Sequence, residues 1–292
     1  MNTESQFVTN MTPRLTLDAI CYRNYIPSEL VAIIGKYYQE EIDNYSIKKA
    51  VDMWSYKEYR KNCLLRFGHI SHWETSKVTN MYRLFYDKDT FNDDISNWDT
   101  SNVIIMSRMF EEANKFNQPL EKWDTSKVTD MCNMFNNAHS FNQPLERWNV
   151  SNVTDMCFMF NNAKMFNQPL EKWNVNKVTN MKWMFSDSPS FNQPLEKWNV
   201  SNVTDMCNMF FYASSFNQPL EKWNVSNVTK MNAMFFGCSS FNQPLERWNI
   251  SKDTTVYCMF SNATSFNQPL ERWNISKDAK SLMLLVSTSH FG

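Results

Sequence analysis

Few residues in this chain could act as nucleophiles, bases or metal ligands, and their spacing does not favour such chemistry. One close histidine pair, His69 and His72, stands in Gly68-His69-Ile70-Ser71-His72. No carboxylate or cysteine recurs beside it at ligand spacing, and two imidazoles alone make a weak metal site. A structural role is expected for both. The seven cysteines, Cys21, Cys63, Cys132, Cys157, Cys207, Cys238 and Cys258, are odd in number and include no CxxC pair. That pattern argues against both a zinc site and a disulfide framework, so free thiols are expected. Cys132, Cys157 and Cys207 share one position of a repeat, but no histidine column accompanies them and a thiolate would lack its base. Four glycines in 292 residues leave little from which to build a phosphate loop or a dinucleotide fingerprint. No enzyme activity, cofactor or metal is expected.

Charge is equally uninformative about a polyanionic partner. Lys and Arg number 29 against 30 Asp and Glu. Lys122, Arg147, Lys172, Lys197, Lys222, Arg247 and Arg272 would stack into a positive stripe, as a phosphate backbone wants. Each follows a glutamate, from Glu121 to Glu271, so an interleaved ion-pair lattice accounts for both columns. Nucleic acid is therefore not an expected partner.

The elements that carry these residues follow from an internal period. Trp occurs at 73, 98, 123, 148, 173, 198, 223, 248 and 273, and two Phe columns, Phe85 to Phe260 and Phe91 to Phe266, keep the same 25-residue step. Such self-similarity is the mark of a stacked array in which each unit buries its apolar face only against its neighbours. Met131, Met134, Phe135 and Ala138 fall at i, i+3, i+4 and i+7, the spacing of one helix face. Ser126 or Thr129 would cap that helix, with Asp130 in its first turn. Pro144 stops it, and Trp148 and Val150, two residues apart, predict a short strand with Arg147 and Asn149 on its other side. The fold class read from this pattern is α/β: a curved, leucine-rich-repeat-like solenoid of about nine 25-residue strand-helix units, strands inside the curve. Asn142 and its equivalents, Asn92 to Asn267, would form a ladder whose side-chain amides serve turn carbonyls of adjacent units.

The ends depart from the period. Residues 1–14 are expected to form a disordered tail, 15–66 a helical N-terminal cap, and 67–292 the solenoid. Ser28-Glu29-Leu30 opens one amphipathic run of the cap and Ile47 to Leu65 makes another. Toward the C-terminus Asp253, Val256, Asp278 and Ser281 displace the usual residues and Leu284-Leu285 replaces Met-Phe, the drift of a capping repeat. The first twenty residues hold no signal-peptide core and no later stretch reaches about 20 apolar residues. An intracellular protein, or a virion component, is expected.

The unit Val-Thr-Asp-Met-x-x-Met-Phe-x-x-Ala-x-x-Phe-Asn-Gln-Pro-Leu-x-x-Trp-Asn-Val-Ser, nearly whole at 128–151, 153–176 and 203–226, closely resembles the BspA-like leucine-rich repeat family. It is similar to the 25- to 26-residue repeats of Listeria- and Mycoplasma-type surface lipoproteins, also met in protists and giant viruses. The resemblance covers about residues 47 to 286 and implies a solenoid for adhesion or protein binding, with no catalytic residues to carry over. A fainter one lies at Tyr25-Ile26-Pro27-Ser28-Glu29-Leu30, similar to the opening of an F-box. It implies a Skp-type ubiquitin-ligase adaptor as a partner of residues 25–45, with a plain helical cap as the alternative.

Because the core columns hardly vary, partner information should sit where the period breaks. The outward positions of Asn133, Asn136 and Asn137 become Phe158, Trp183, Phe211, Tyr212 and Phe236 in successive units, with Tyr257 nearby. These six form the candidate protein-binding patch, since aromatic clusters are enriched at interface hot spots. The competing outcome is that they pack sideways on one another. A non-enzymatic protein-binding scaffold is the expected function, with a ubiquitin-ligase substrate adaptor and a virion or surface adhesion component as alternatives.

Overall fold

The computed structural model describes residues 39–283. The expected tail at 1–14, the run opening at Ser28, most of the F-box-like stretch and Leu284-Leu285 lie outside the described residues. Two short helices come first, α1 at Ser46–Ser55 and α2 at Arg60–Phe67, and then a single 3-10 turn at Ile70–His72. The run read as one segment from Ile47 to Leu65 breaks at Tyr56, whose backbone is extended at φ −95° and ψ 122°. Ahead of α1, Asp43 Oδ1 accepts the backbone N–H groups of Tyr45 and Ser46, and Ser46 Oγ accepts the Asp43 N–H. This reciprocal pair satisfies donors that a helix start leaves open. α1 buries Ile47, Ala50, Val51 and Trp54. Trp54 meets Trp73 edge-on at 6.3 Å and Trp73 stacks on Trp98 at 5.8 Å, so the cap feeds directly into the tryptophan column.

From Trp73 onward the chain is a repeat solenoid with a 25-residue period and little regular secondary structure. The helix expected over Met131 to Ala138 and its copies is absent. Met134, Asn136 and Ala138 donate their N–H groups three residues back, to Met131, Asn133 and Phe135, at 3.1 to 3.2 Å. The intervening residues Met131, Asn133, Phe135 and Asn137 instead donate to Asp155, Cys157, Met159 and Asn161 of the next unit, at 2.8 to 3.2 Å. A succession of tight turns thus replaces the helix, and its inner side takes the same i, i+3, i+4, i+7 residues. Spacing explains why. Cys132 and Cys157, one unit apart, have Cα atoms 4.8 Å from each other, and Phe135 lies 5.6 Å from Phe160. Packed helices need about 8 to 10 Å between axes, which this rise does not allow.

The expected strand is also missing. Trp148 and Val150 are buried and Arg147 and Asn149 exposed, as their alternation predicts. Parallel pairing between described units, however, runs through one residue per unit in a different column, Asn80, Ile105, Asp130, Asp155, Asn180, Asp205, Lys230 and Thr255, with Lys77 pairing separately to Asp43 of the cap. Beside it runs a threonine ladder in which Thr154, Thr179 and Thr204 donate to the preceding unit at 2.9 to 3.0 Å.

The core is a set of columns rather than a layer. Phe110, Phe135 and Phe160 stack at 5.5 to 5.6 Å, and each also lies 4.0 to 4.1 Å from its partner in the second Phe column. Aromatic pairs of this kind add about 0.5–1.5 kcal/mol beyond their burial. In the buried tryptophan column each indole N–H from Trp98 to Trp273, taken every 25 residues, finds a main-chain carbonyl of the unit before, as Trp148 does with Leu120 at 2.9 Å, so burying the ring leaves no donor unpaired.

The asparagine ladder is present with its polarity reversed. Asn117 Oδ1 accepts the backbone N–H of Asn142 at 2.9 Å and the Gln143 amide at 3.1 Å, and the rungs run from Asn92 to Asn267. The side chain is an acceptor for the next turn, not a donor to its carbonyls. The ion-pair lattice forms across units: Lys172 with Glu146, Lys197 with Glu171, Lys222 with Glu196, Arg247 with Glu221 and Arg272 with Glu246, at 2.9 to 3.3 Å. At the far end a third helix, α3 at Lys277–Met283, replaces the turn run. Leu282 and Met283 carbonyls accept the N–H groups of Cys258 and Phe260, which in inner units are taken by the next coil. Among the described residues no helix is long and apolar enough to cross a membrane.

Candidate functional site

Two positions of every turn run have a left-handed backbone. One column holds Arg83, Arg108, Asn133, Phe158, Trp183, Asn208, Ala233 and Cys258, and the other Asp87, Glu112, Asn137, Asn162, Asp187, Tyr212, Gly237 and Asn262, with φ between 51° and 67°. Asn, Asp and Gly suit that region. A bulky side chain there costs about 1–2 kcal/mol and persists where its surroundings hold it. Phe158 (φ 55°), Trp183 (φ 59°) and Tyr212 (φ 51°) are the aromatic occupants.

Their rings join into one strip. Phe158 stacks on Trp183 at 5.7 Å and 5° between planes, and Trp183 meets Phe211 at 5.4 Å. Phe211 lies 4.7 Å from Tyr212 and 5.0 Å from Phe236, and Tyr212 closes the triangle to Phe236 at 5.4 Å. Phe236 is buried, Phe158, Trp183 and Phe211 are half-buried, and Tyr212 is exposed. The sideways packing and a partly exposed surface therefore occur together. Tyr257 makes no ring contact with the other five; its N–H donates to Asn232 Oδ1 at 2.9 Å. Hydrogen bonding with Cys258 pushes its phenol above the ordinary tyrosine value. Of the positions expected to face outward, Asn133 and Phe236 are buried, and all of them sit on turns and not on a helix.

Sequence reasoning missed several features of the same face. Met165, in the same unit as Phe158, is 57% exposed. At the other end of the left-handed column, the Arg83 guanidinium lies over the rings of Tyr86 at 4.5 Å and Tyr82 at 5.6 Å. Glu111, buried, is held by Arg108 at 3.1 Å and by the Asn136 amide at 3.0 Å. The face thus runs from charged to aromatic along the array. A separate open groove of about 690 Å³ lies on α1, lined by Tyr45, Lys48, Lys49, Asp52, Met53, Tyr56 and Tyr59.

The thiol expectation needs correcting. Cys132 and Cys157 are joined as a disulfide. Their 25-residue separation equals one unit, and the small rise between coils brings two equivalents in adjacent units within bonding range. That adjacency was the available signal. Cys63, Cys207 and Cys238 are buried thiols; burial pushes Cys63 to about 12 and Cys207 to about 11, and raises Cys238 further. Among the described residues, Cys132, Asp155 and Cys157 are the one group of three whose ligand atoms converge, within 4.8 Å. With the sulfurs bonded to each other neither is a thiolate, the form a metal requires. His69 and His72 lie near each other, with Ser71 Oγ 2.8 Å and 3.2 Å from their Nδ1 atoms, and no carboxylate or cysteine among the described residues completes a set around them.

Compared with known families, the chain matches the one described as Mycoplasma protein of unknown function, DUF285, three times over, at residues 32–152, 115–206 and 190–291. No curated protein and no solved structure matches it.

Proposed function

The chain belongs to the DUF285 family, and from that premise we propose that it is a non-enzymatic scaffold that binds another protein through Phe158, Trp183, Phe211, Tyr212 and Phe236. The finer kinship, with BspA-like leucine-rich repeats, is part of the same proposal and rests on the 25-residue unit. One observation carries the binding role. Phe158, Trp183 and Tyr212 occupy left-handed positions that Asn fills in other units at less cost. Their rings are not needed to close the core, whose Phe and Trp columns continue unbroken beneath them. Partly exposed aromatic rings on a rigid frame supply contact area at low conformational cost, as interface hot spots do.

The test pairs capture with folding. Wild-type chain and a Trp183→Ser, Phe211→Ser variant are immobilised side by side and exposed to extract of the cells in which the protein occurs, and bound proteins are identified by mass spectrometry. A partner held by the first and lost from the second, with thermal unfolding nearly unchanged, is the expected result. Equal capture by both, or a variant that unfolds at much lower temperature, contradicts the proposal.

A further inference from the structure

The Cys132–Cys157 bond lies outside the binding proposal, which does not use it. Of the described cysteines, these two share a column in adjacent units; Cys207 stands in the same column, but its neighbours there are Lys182 and Asn232. Their Cα separation of 4.8 Å lies within the range a disulfide needs. Cys132 is half-buried while Cys157 is buried, so Cys132 is the more accessible of the two. The Asn133 side-chain amide donates to Cys132 Sγ at 2.9 Å, which favours negative charge on that sulfur, while the Asp155 carboxylate within 4.8 Å opposes it. Backbone N–H groups of Cys132 and Cys157 are taken by Asp130 and Asp155, so neither competes for the sulfurs.

The surroundings hold without the bond. Met131 donates to Asp155, Asn133 to Cys157 and Phe135 to Met159 at 2.8 to 3.2 Å, clamping the two units on both sides of the sulfurs. After reduction the thiols stay apposed, and reclosure is an intramolecular step with a high effective concentration. Cys63, Cys207 and Cys238 have values raised to about 11 or above, which leaves these three little thiolate for exchange at neutral pH.

We propose that Cys132 and Cys157 form a reversible thiol–disulfide site, opened and closed by a low-molecular-weight thiol and its disulfide, such as the glutathione pair. In the opening direction a glutathione thiolate attacks Cys132 Sγ, the bond to Cys157 breaks, and Cys157 leaves as a thiolate that takes up a proton. A second glutathione thiolate attacks the glutathione sulfur of the mixed disulfide, releasing Cys132 as a thiolate that is protonated in turn. Two glutathiones are oxidised to one glutathione disulfide and two cysteine thiols are formed. Closure is the reverse.

The full-length chain is equilibrated in buffers of graded reduced-to-oxidised glutathione ratio, quenched in acid, alkylated under denaturing conditions and mapped by mass spectrometry, with near-ultraviolet circular dichroism followed in parallel. The expected result is a cross-linked peptide pair holding Cys132 and Cys157 that converts to two alkylated peptides as the ratio rises, and returns when it falls, with the dichroism retained throughout. Alkylated Cys132 and Cys157 even in oxidised glutathione alone would overturn the proposal. So would a cross-link that survives excess reduced glutathione until denaturant is added. In a Cys132→Ser chain the cross-link disappears and no other cysteine replaces it; a new cross-link from Cys157 to Cys207 or Cys238 would show that the pairing is not specific.

Discussion

The ring of Tyr212 lies directly against the backbone of Gly237: a Cβ on that glycine would come 2.5 Å from Tyr212 Cδ1 and 2.7 Å from Cε1. Gly237 also has φ +67°. The only glycine in the two left-handed columns therefore stands where the most exposed ring of the strip crosses the chain.

Gly237→Ala carries two separable costs, the left-handed backbone at about 1–2 kcal/mol and displacement of the Tyr212 ring. In a Tyr212→Ala background the second disappears. A double-mutant cycle by thermal or urea unfolding should give a coupling of about 1 kcal/mol or more. Additive effects would mean that the two residues do not share the space the structure gives them.

The asparagine ladder predicts a difference between two substitutions at one site. Asn167 Oδ1 accepts the Asn192 N–H at 2.9 Å and the Gln193 amide at 3.0 Å. Asn167→Ala leaves that N–H without its partner and should cost about 1–3 kcal/mol. Asn167→Asp keeps the acceptor oxygen and should cost much less at neutral pH. If unfolding shows the two equally destabilised, the amide's donor end would be the one that matters.

Asp187 gives a pH test. Burial pushes its carboxyl above the ordinary carboxylate value, against the opposing hydrogen bond from Ser186 and the charge of Lys164. A raised folded value means the native state binds the proton more tightly than the unfolded chain. The associated stability is present at pH below the unfolded value and is lost as pH rises through the folded one. At pH 7 the buried charge is a cost, and Asp187→Asn should raise the melting temperature, since Asn also suits its φ of 52°. Below about pH 3 to 4, where both states are protonated, the gain should vanish. A gain that persists there would trace to the backbone rather than to the charge.

Much of the architecture is legible in residue types and spacing. The Trp, Phe and Met columns announce the period, the core and the paired charges, because stacking a repeat turns any fixed residue into a column. The path of the chain between columns is less legible. Met131, Met134, Phe135 and Ala138 fit a helix face, yet a run of tight turns presents the same residues inward, and only the coil-to-coil rise decides between them. The turns did leave a trace in Asn133, Asn137, Asn162, Asn208 and Gly237, residue types that tolerate a left-handed backbone. Asn117 and its equivalents hide their polarity because an amide both donates and accepts. Cys132 and Cys157 become a pair only once one unit is known to be one thin coil. The strip fared better, since Phe158, Trp183, Phe211, Tyr212 and Phe236 break the period on one face; Tyr257 sits apart because it belongs to the neighbouring column.

The binding proposal stands or falls on whether the strip does something other than hold the fold. The most direct measurement replaces Trp183 with Asn, the residue that relieves its left-handed backbone, and compares melting temperature and partner capture with a Trp198→Ala chain. Trp198 is a core ring whose indole N–H bonds Leu170 at 2.9 Å, and its loss should cost about 3–5 kcal/mol. Trp183→Asn should melt within a few degrees of wild type and lose the partner. A Trp183→Asn chain that melts as early as Trp198→Ala, or that melts like wild type and still retains its partner, would contradict the account.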